Sequence, residues 1–342
     1  MMEAIMMSPG KISFREVKVP KPSDNEIIIK IKRIGICGSD IHVYHGKHPY
    51  THYPVIQGHE FSGEISEIGS GANKFKMGDK VVVQPQVVCG KCYPCRTGNY
   101  NICDNLKVMG FQTEGCAREY FKVDMAKVLK IPSSMSFDEG ALVEPEAVAC
   151  HCLGRSGLKI EGKNILILGA GPIGNLVAQT AKARGAGKVM ITDISDFRLQ
   201  KALECGIDFA VNTSKSILAE EINKAFGADK ADLILECAGV QEVLSQAVAN
   251  ARKGTDIIAV AVYPEEVKVN LGFIQDRELR IIGTLMYQTN DYLDAIDLIS
   301  KKKIFADKLI TDYYSFGDYD KAYQYIDKVK DKVMKVMIRM PE

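Results

Sequence analysis

Between residues 164 and 285 six short apolar runs alternate with amphipathic segments, and no other feature limits the fold of this chain so tightly. The runs fall at 164–168, 188–193, 209–212, 232–237, 256–262 and 278–285, with helical patterning near 173–184, 197–203, 217–226 and 242–251. Short, nearly continuous apolar runs suit strands buried on both faces, whereas the segments between them carry apolar residues at helical spacing. Parallel strands need a crossover connection, and a helix is the usual one. The alternation therefore predicts an α/β fold built on a doubly wound parallel sheet.

The loop after the first run is Gly169-Ala170-Gly171-Pro172-Ile173-Gly174, a G-x-G-x-x-G pattern between a strand and a helix. The first glycine permits the tight turn, the second lets a pyrophosphate approach the backbone, and the third lets helix and strand pack closely. Phosphates then face the positive end of the following helix. Asp193 ends the next run, nineteen residues beyond Gly174. A carboxylate there accepts hydrogen bonds from ribose hydroxyls and repels a 2′-phosphate, so NAD is expected over NADP. Arg198, five residues on, leaves the phosphorylated cofactor open.

The first 150 residues have a different texture. Short β-prone runs such as 26–31 and 80–83 are separated by Gly, Pro and Asp, which predicts a mostly β domain. Within it Cys89, Cys92, Cys95 and Cys103 follow the spacing C-x2-C-x2-C-x7-C. Four thiolates on one short loop can close a tetrahedron around zinc, leaving no open position and hence a structural role. An iron–sulfur run would end C-x3-C-P, whereas here Asp104 follows Cys103. A disulfide pair is the remaining alternative. Cys116, Cys150, Cys152, Cys205 and Cys237 lack metal spacing and are expected to be buried thiols.

Five of the six histidines, His42, His45, His48, His52 and His59, lie between residues 42 and 59, and Cys37 and Glu60 flank them. Cys37, His59 and Glu60 make a mixed sulfur, nitrogen and oxygen set able to hold zinc with a position left for water or substrate. Zinc so held can polarise an alcohol oxygen, and a hydride can then pass from the carbinol carbon to a nicotinamide. Ser39 and His42 are placed to relay the alcohol proton.

Composition narrows the partners. In 342 residues, Lys and Arg number 44 against 43 Asp and Glu, a net charge of +1 that gives no field for nucleic acid or acidic membranes. No run approaches the ~18 apolar residues of a membrane span. The N-terminal residues lack the pattern of a secretory signal, and ten cysteines suit a reducing compartment, so a cytoplasmic protein is expected.

With these residues in view, the chain resembles the zinc-dependent medium-chain dehydrogenases. The matching stretches are GICGSDIH (35–42), GHEFSGEISEIGSG (58–71), the cysteine ladder, LVEPEAVA (142–149), GAGPIG, TDIS (192–195) and KLITDYYSF (308–316). The resemblance implies a GroES-like catalytic domain with both zinc sites at residues 1–152, a Rossmann domain at 153–285, and a C-terminal return to the catalytic domain at 286–342. It implies that Cys37 and His59 are catalytic zinc ligands, that Glu60 ligates zinc in exchange with water, and that Glu144 meets the zinc directly or through water. It also implies two zinc ions per chain and a homo-oligomer, a tetramer or a dimer, paired through the edge strand at 278–285. Glu144 favours the sorbitol dehydrogenase-like branch, hence NAD-dependent oxidation of a polyol, sugar acid or related derivative. L-threonine-like amino alcohols are the alternative substrates, and a non-catalytic nucleotide-binding protein is the remote one. Two residues depart from the family. Glu146 is expected to be a solvated charge at a helix start or a pocket contact, and Met286 stands where sorbitol dehydrogenases carry arginine. Lys47, His48 and Tyr53 lie on the loop where the resemblance places the substrate cleft, and either touch substrate or are exposed loop polarity.

Overall fold

The computed structural model describes residues 1–71, 74–263 and 265–341. The chain divides into two compact units.

One unit comprises Pro145–Tyr287 with Lys301–Leu309. Its six-stranded sheet runs, in spatial order, Phe209–Asn212, Lys188–Asp193, Asn164–Leu168, Leu233–Glu236, Asp256–Ala259 and Arg280–Gly283. Every neighbouring pair is parallel. Ile165, Leu166, Ile167, Leu168, Leu233, Ile234 and Leu235 are fully buried, because helices cover both faces of a doubly wound sheet. All six expected strands form, some shorter than their apolar runs. The fifth stops at Ala259 because the N–H groups of Val260 and Ala261 turn to the Glu236 carbonyl. The strand order reverses beside Asn164–Leu168, and such a reversal opens a crevice at the carboxyl ends of the strands where dinucleotides bind.

The other unit gathers Met1–Glu144, Gln288–Ser300 and Ile310–Glu342. Its main sheet runs Ile310–Ser315, Lys335–Arg339, Glu26–Gly35, Glu60–Ile68, Lys80–Val83 and Val128–Lys130, with Tyr120–Asp124 also paired to Glu26–Gly35. Glu26–Gly35 is the hub, since it pairs antiparallel with three strands far apart in sequence. Ile27, Ile29, Ile31 and Ile34 bury against Phe61, Ile65, Phe121, Val336 and Ile338 in one core. The register places Gly35 opposite both Glu60 and Met337. That register brings three segments together at one end of the sheet.

Candidate active site and metal centres

Cys37 sits just past Glu26–Gly35 and caps the helix Gly38–Tyr44, its backbone N–H donating to Asp40 Oδ2 at 3.0 Å. Glu60 opens the neighbouring strand and His59 immediately precedes it. The donor atoms of Cys37, His59 and Glu60 lie within 4.8 Å of one another, with His59 4% and Glu60 1% exposed. A Cβ on Gly35 would fall 2.5 Å from Glu60 Oε2, so glycine at that position leaves room for the carboxylate.

A thiol, an imidazole and a carboxylate, converging and largely dry, are the chemistry a zinc ion needs. Asp40 Oδ1 stands 3.5 Å from His59 Nδ1, the position of the outer partner that orients a metal-bound histidine and leaves Nε2 for the ion. Burial opposes charge on His59, yet Asp40 and Cys37 outweigh it and hold its pKa well above the ordinary value. The pocket therefore favours positive charge, which a bound dication would supply. These residues fit zinc.

Lys335 and Asp40 escape the sequence reading. Lys335 Nζ donates to both Glu60 oxygens, at 2.8 and 2.6 Å, and to the Ile36 carbonyl at 3.2 Å. Lys335 is 3% exposed, and burial opposes its charge, but Glu60, then Cys37 and Glu144, keep its pKa raised. No motif marks a lysine 275 residues from its partner. Asp40 is itself anchored. Gln57 Nε2 donates to its carbonyl at 3.1 Å, and the Tyr323 hydroxyl donates to Gln57 Oε1 at 3.1 Å. Asp40 lies inside GICGSDIH, and its position three residues after a helix cap is the available signal.

Ser39 and His42 share one face of the helix Gly38–Tyr44, being three residues apart. Desolvation, with His45 and Lys47 nearby, lowers the His42 pKa. Glu144 is 8% exposed and within electrostatic reach of Lys335. It stands outside the tight three-residue cluster.

None of the ten cysteines is joined in a disulfide among the described residues. Cys89, Cys92, Cys95 and Cys103 converge within 4.8 Å. Cys92 and Cys103 sulfurs are 3.7 Å apart, near the ~3.8 Å edge of a tetrahedron with Zn–S of about 2.3 Å. Backbone N–H groups of Cys89, Cys92 and Asn105 point at these sulfurs, and such donors stabilise thiolates. The Lys91 and Cys92 N–H groups pull Cys89 down to about 6, while desolvation and then neighbouring Cys92 and Cys103 push Cys95 up to about 12. Four crowded thiols cannot all ionise without a cation among them. Cys116, Cys150, Cys152 and Cys205 are buried as expected, whereas Cys237 is partly exposed.

In the parallel-sheet unit, the three loop glycines are held to their places by different neighbours. Gly169 has φ +106, and a Cβ would meet Ala238 N at 3.0 Å. A Cβ on Gly174 would sit 1.9 Å from the Gly169 carbonyl oxygen, so only glycine packs there. A Cβ on Gly171 would meet nothing within 4 Å, leaving its backbone open to a ligand. Pro172 and Ile173 begin the helix Pro172–Ala183. Asp193 ends its strand and accepts N–H bonds from Ala170, Ile194 and Ser195 at 2.8–2.9 Å, which ties it to the loop. Oδ1 takes two of these bonds and Oδ2 one, so Oδ2 keeps a further acceptor site. Arg198 Nε is buried and has no hydrogen-bond partner among the described residues.

Glu146 matches neither expectation for it. It is fully buried, its Oε1 accepting from Thr180 Oγ1 at 2.7 Å and its Oε2 without a partner among the described residues. The helix Val143–Gly154 turns this side chain onto the helix Pro172–Ala183 rather than toward water, and desolvation pushes its pKa up to about 8. Met286 adopts φ +52, a backbone choice for which its side chain gives no reason.

A parallel sheet with a phosphate-type loop, together with a β unit holding one open and one closed metal set, defines a metal-dependent dinucleotide oxidoreductase. Residues 23–133 match the family described as alcohol dehydrogenase GroES-like domain, and residues 172–301 that described as zinc-binding dehydrogenase. Sorbitol dehydrogenase of Bacillus subtilis is 34% identical over 99% of this chain and 97% of that protein. D-xylulose reductase of Saccharomyces cerevisiae is 35% identical over 99% of this chain and 98% of that one. An alcohol dehydrogenase of Escherichia coli CFT073, solved with NADH, is similar with a TM-score of 0.91 at 33% identity, covering 99% of this chain and 98% of the other. The chain belongs to the zinc-dependent medium-chain dehydrogenases, in their polyol dehydrogenase branch. It is an oxidoreductase of a zinc-binding dehydrogenase family.

Proposed function

We propose that this protein oxidises a secondary hydroxyl of a polyol, sugar acid or related sugar derivative and passes the hydride to NAD. The observation that carries the reading is the convergence of Cys37, His59 and Glu60, three donors of which two are almost dry. Relatives named for sorbitol and D-xylulose support the substrate class. Asp193 supports NAD, since its carboxylate repels a 2′-phosphate.

Cys37, His59 and Glu60 would hold zinc, which when bound would supply Lewis-acid polarisation of the alcohol oxygen. Asp40 orients His59, and Lys335 offsets the charge of Glu60. Ser39 and His42 give the alcohol proton a path toward solvent, with the lowered pKa of His42 keeping its imidazole neutral and able to accept. Glu144 adds negative charge near Lys335, and its part in ligation is the alternative to that of Glu60. Gly169, Gly171, Pro172, Ile173 and Gly174 seat the pyrophosphate. Cys89, Cys92, Cys95 and Cys103 hold a second, structural zinc.

Ten cysteines with no disulfide among the described residues support a cytoplasmic location. Among the described residues no helix is long and apolar enough to cross a membrane. The edge strand Arg280–Gly283 supports a homo-oligomer, since it has one sheet neighbour and leaves Ile281 39% exposed. Light scattering in solution measures that state.

Steady-state rates over sugar alcohols, sugar acids, L-threonine and simple secondary alcohols, each with NAD and NADP, test the reading. A polyol or sugar derivative with NAD should give the highest kcat/KM. The highest kcat/KM on L-threonine would overturn the substrate class.

A further inference from the structure

Of Lys47, His48 and Tyr53, the first points to solvent and the last is bonded elsewhere. The Tyr53 hydroxyl donates to the Val43 carbonyl, and Lys47 is exposed. His48 is held from two directions. Its ring stacks on Phe111, with centroids 4.6 Å apart and planes 10° from parallel, and its Nδ1 lies 2.8 Å from Thr51 Oγ1. Phe111, 8% exposed, also packs against His59 with centroids 4.9 Å apart. One aromatic ring therefore joins His48 to a proposed zinc ligand. Gln112 fixes the spacing of the two loops, accepting from Val108 N–H and donating to the Tyr50 carbonyl.

The protonation pattern follows from satisfaction of a buried hydroxyl. Thr51 is 8% exposed, and the His48 ring nitrogen is the acceptor within reach of its hydroxyl proton. A buried hydroxyl that withheld its proton would forgo a hydrogen bond. Thr51 thus donates to Nδ1, and the single proton of a neutral imidazole sits on Nε2. Burial, then His42, lower the His48 pKa against an opposing pull from Asp40, so the neutral form prevails near pH 7. Nε2–H has no hydrogen-bond partner among the described residues.

We infer that His48 is a specificity residue, whose fixed Nε2–H donates to a second oxygen of the substrate, a hydroxyl or carboxylate beyond the reacting carbinol, while Phe111 faces the carbon chain. The inference rests on the proposed polyol-type oxidation and deepens it. A site built to bond a substrate oxygen discriminates against an analogue that lacks it, because the donor is then left unpaired. A simple secondary alcohol has no such oxygen.

The test is the discrimination ratio, kcat/KM for the best polyfunctional substrate of the panel divided by that for 2-butanol, in wild type and two variants. His48→Phe keeps a ring on Phe111 and removes the donor. His48→Gln sets an amide N–H near the Nε2 position. The ratio should fall about tenfold in His48→Phe, the worth of one partly exposed hydrogen bond, and recover at least partly in His48→Gln. An unchanged ratio in His48→Phe, or equal losses on both substrates in both variants, overturns the inference. So does a wild type that does not discriminate between the two substrates. Wild-type preference for L-threonine would instead overturn the polyol reading, and the His48 ratio would then be read on that amino acid.

Discussion

Replacing Lys335 by Met keeps most of the side-chain volume and removes the cation that faces Glu60. The pair is nearly dry, 3% and 1% exposed, with both carboxylate oxygens accepting from Nζ at 2.6 and 2.8 Å. Removing one member of such a pair strands the other, a loss of about 3–5 kcal/mol. With unfolding entropy near ~2.1 cal/mol/K per residue, that loss lowers Tm by roughly 4–7 °C if the 342-residue chain melts as one unit. The drop should be larger in chelator-treated protein than in zinc-loaded protein, because a bound dication takes up part of the charge of Glu60. The double variant Lys335→Met/Glu60→Gln should recover most of the loss, since both charges are then gone. Melting curves of wild type and the two variants, with and without chelator, measure this. A Tm for Lys335→Met within about 1 °C of wild type in both states refutes the argument that Glu60 is a buried charge dependent on Lys335.

Glu146 should make stability depend on pH. Its folded pKa of about 8 lies above the ordinary 4.5. Its contribution is therefore fully present below about 4.5 and is lost as pH rises toward 8, with a slope of roughly 1 kcal/mol per unit. Urea midpoints between pH 5 and 8 should show that slope in wild type, and a flatter profile in Glu146→Gln, which keeps an acceptor for Thr180. Equal slopes in the two proteins would remove Glu146 as the cause. Gly174→Ala and Gly171→Ala should behave oppositely. The first places a Cβ 1.9 Å from the Gly169 oxygen and should fold poorly, whereas the second meets no protein atom within 4 Å and should fold normally but bind NADH more weakly. Expression yield and NADH fluorescence titration separate them, and normal NADH affinity in Gly171→Ala contradicts the role given to that glycine.

The parallel sheet was legible because each strand announces itself locally. Runs such as Asn-Ile-Leu-Ile-Leu are apolar throughout, and the glycines between strand and helix have few alternative uses. The two metal clusters were legible in the same way, since most of their members lie close together in sequence and are chemically unusual. Lys335 was not. Its partner is set by the register of Lys335–Arg339 against Glu26–Gly35, and no local pattern distinguishes a buried lysine from a solvated one. Tyr323 reaches Gln57 across 266 residues for the same reason. Glu146 misled because a carboxylate after Glu-Pro at a helix start is ordinarily solvated, and only the packing of two helices shows it to be dry. His48 stood among five clustered histidines, and ring stacking, which sequence does not display, sets it apart.

The central claim is that Cys37, His59 and Glu60 hold the zinc on which oxidation depends, apart from the closed site of Cys89, Cys92, Cys95 and Cys103. The most direct measurement is polyol-dependent NAD reduction by Cys37→Ser, on protein whose zinc content has been determined. Turnover should disappear while about one zinc per chain and wild-type NADH binding remain, because the four-sulfur site and the cofactor loop are untouched. Full turnover by Cys37→Ser would contradict the account.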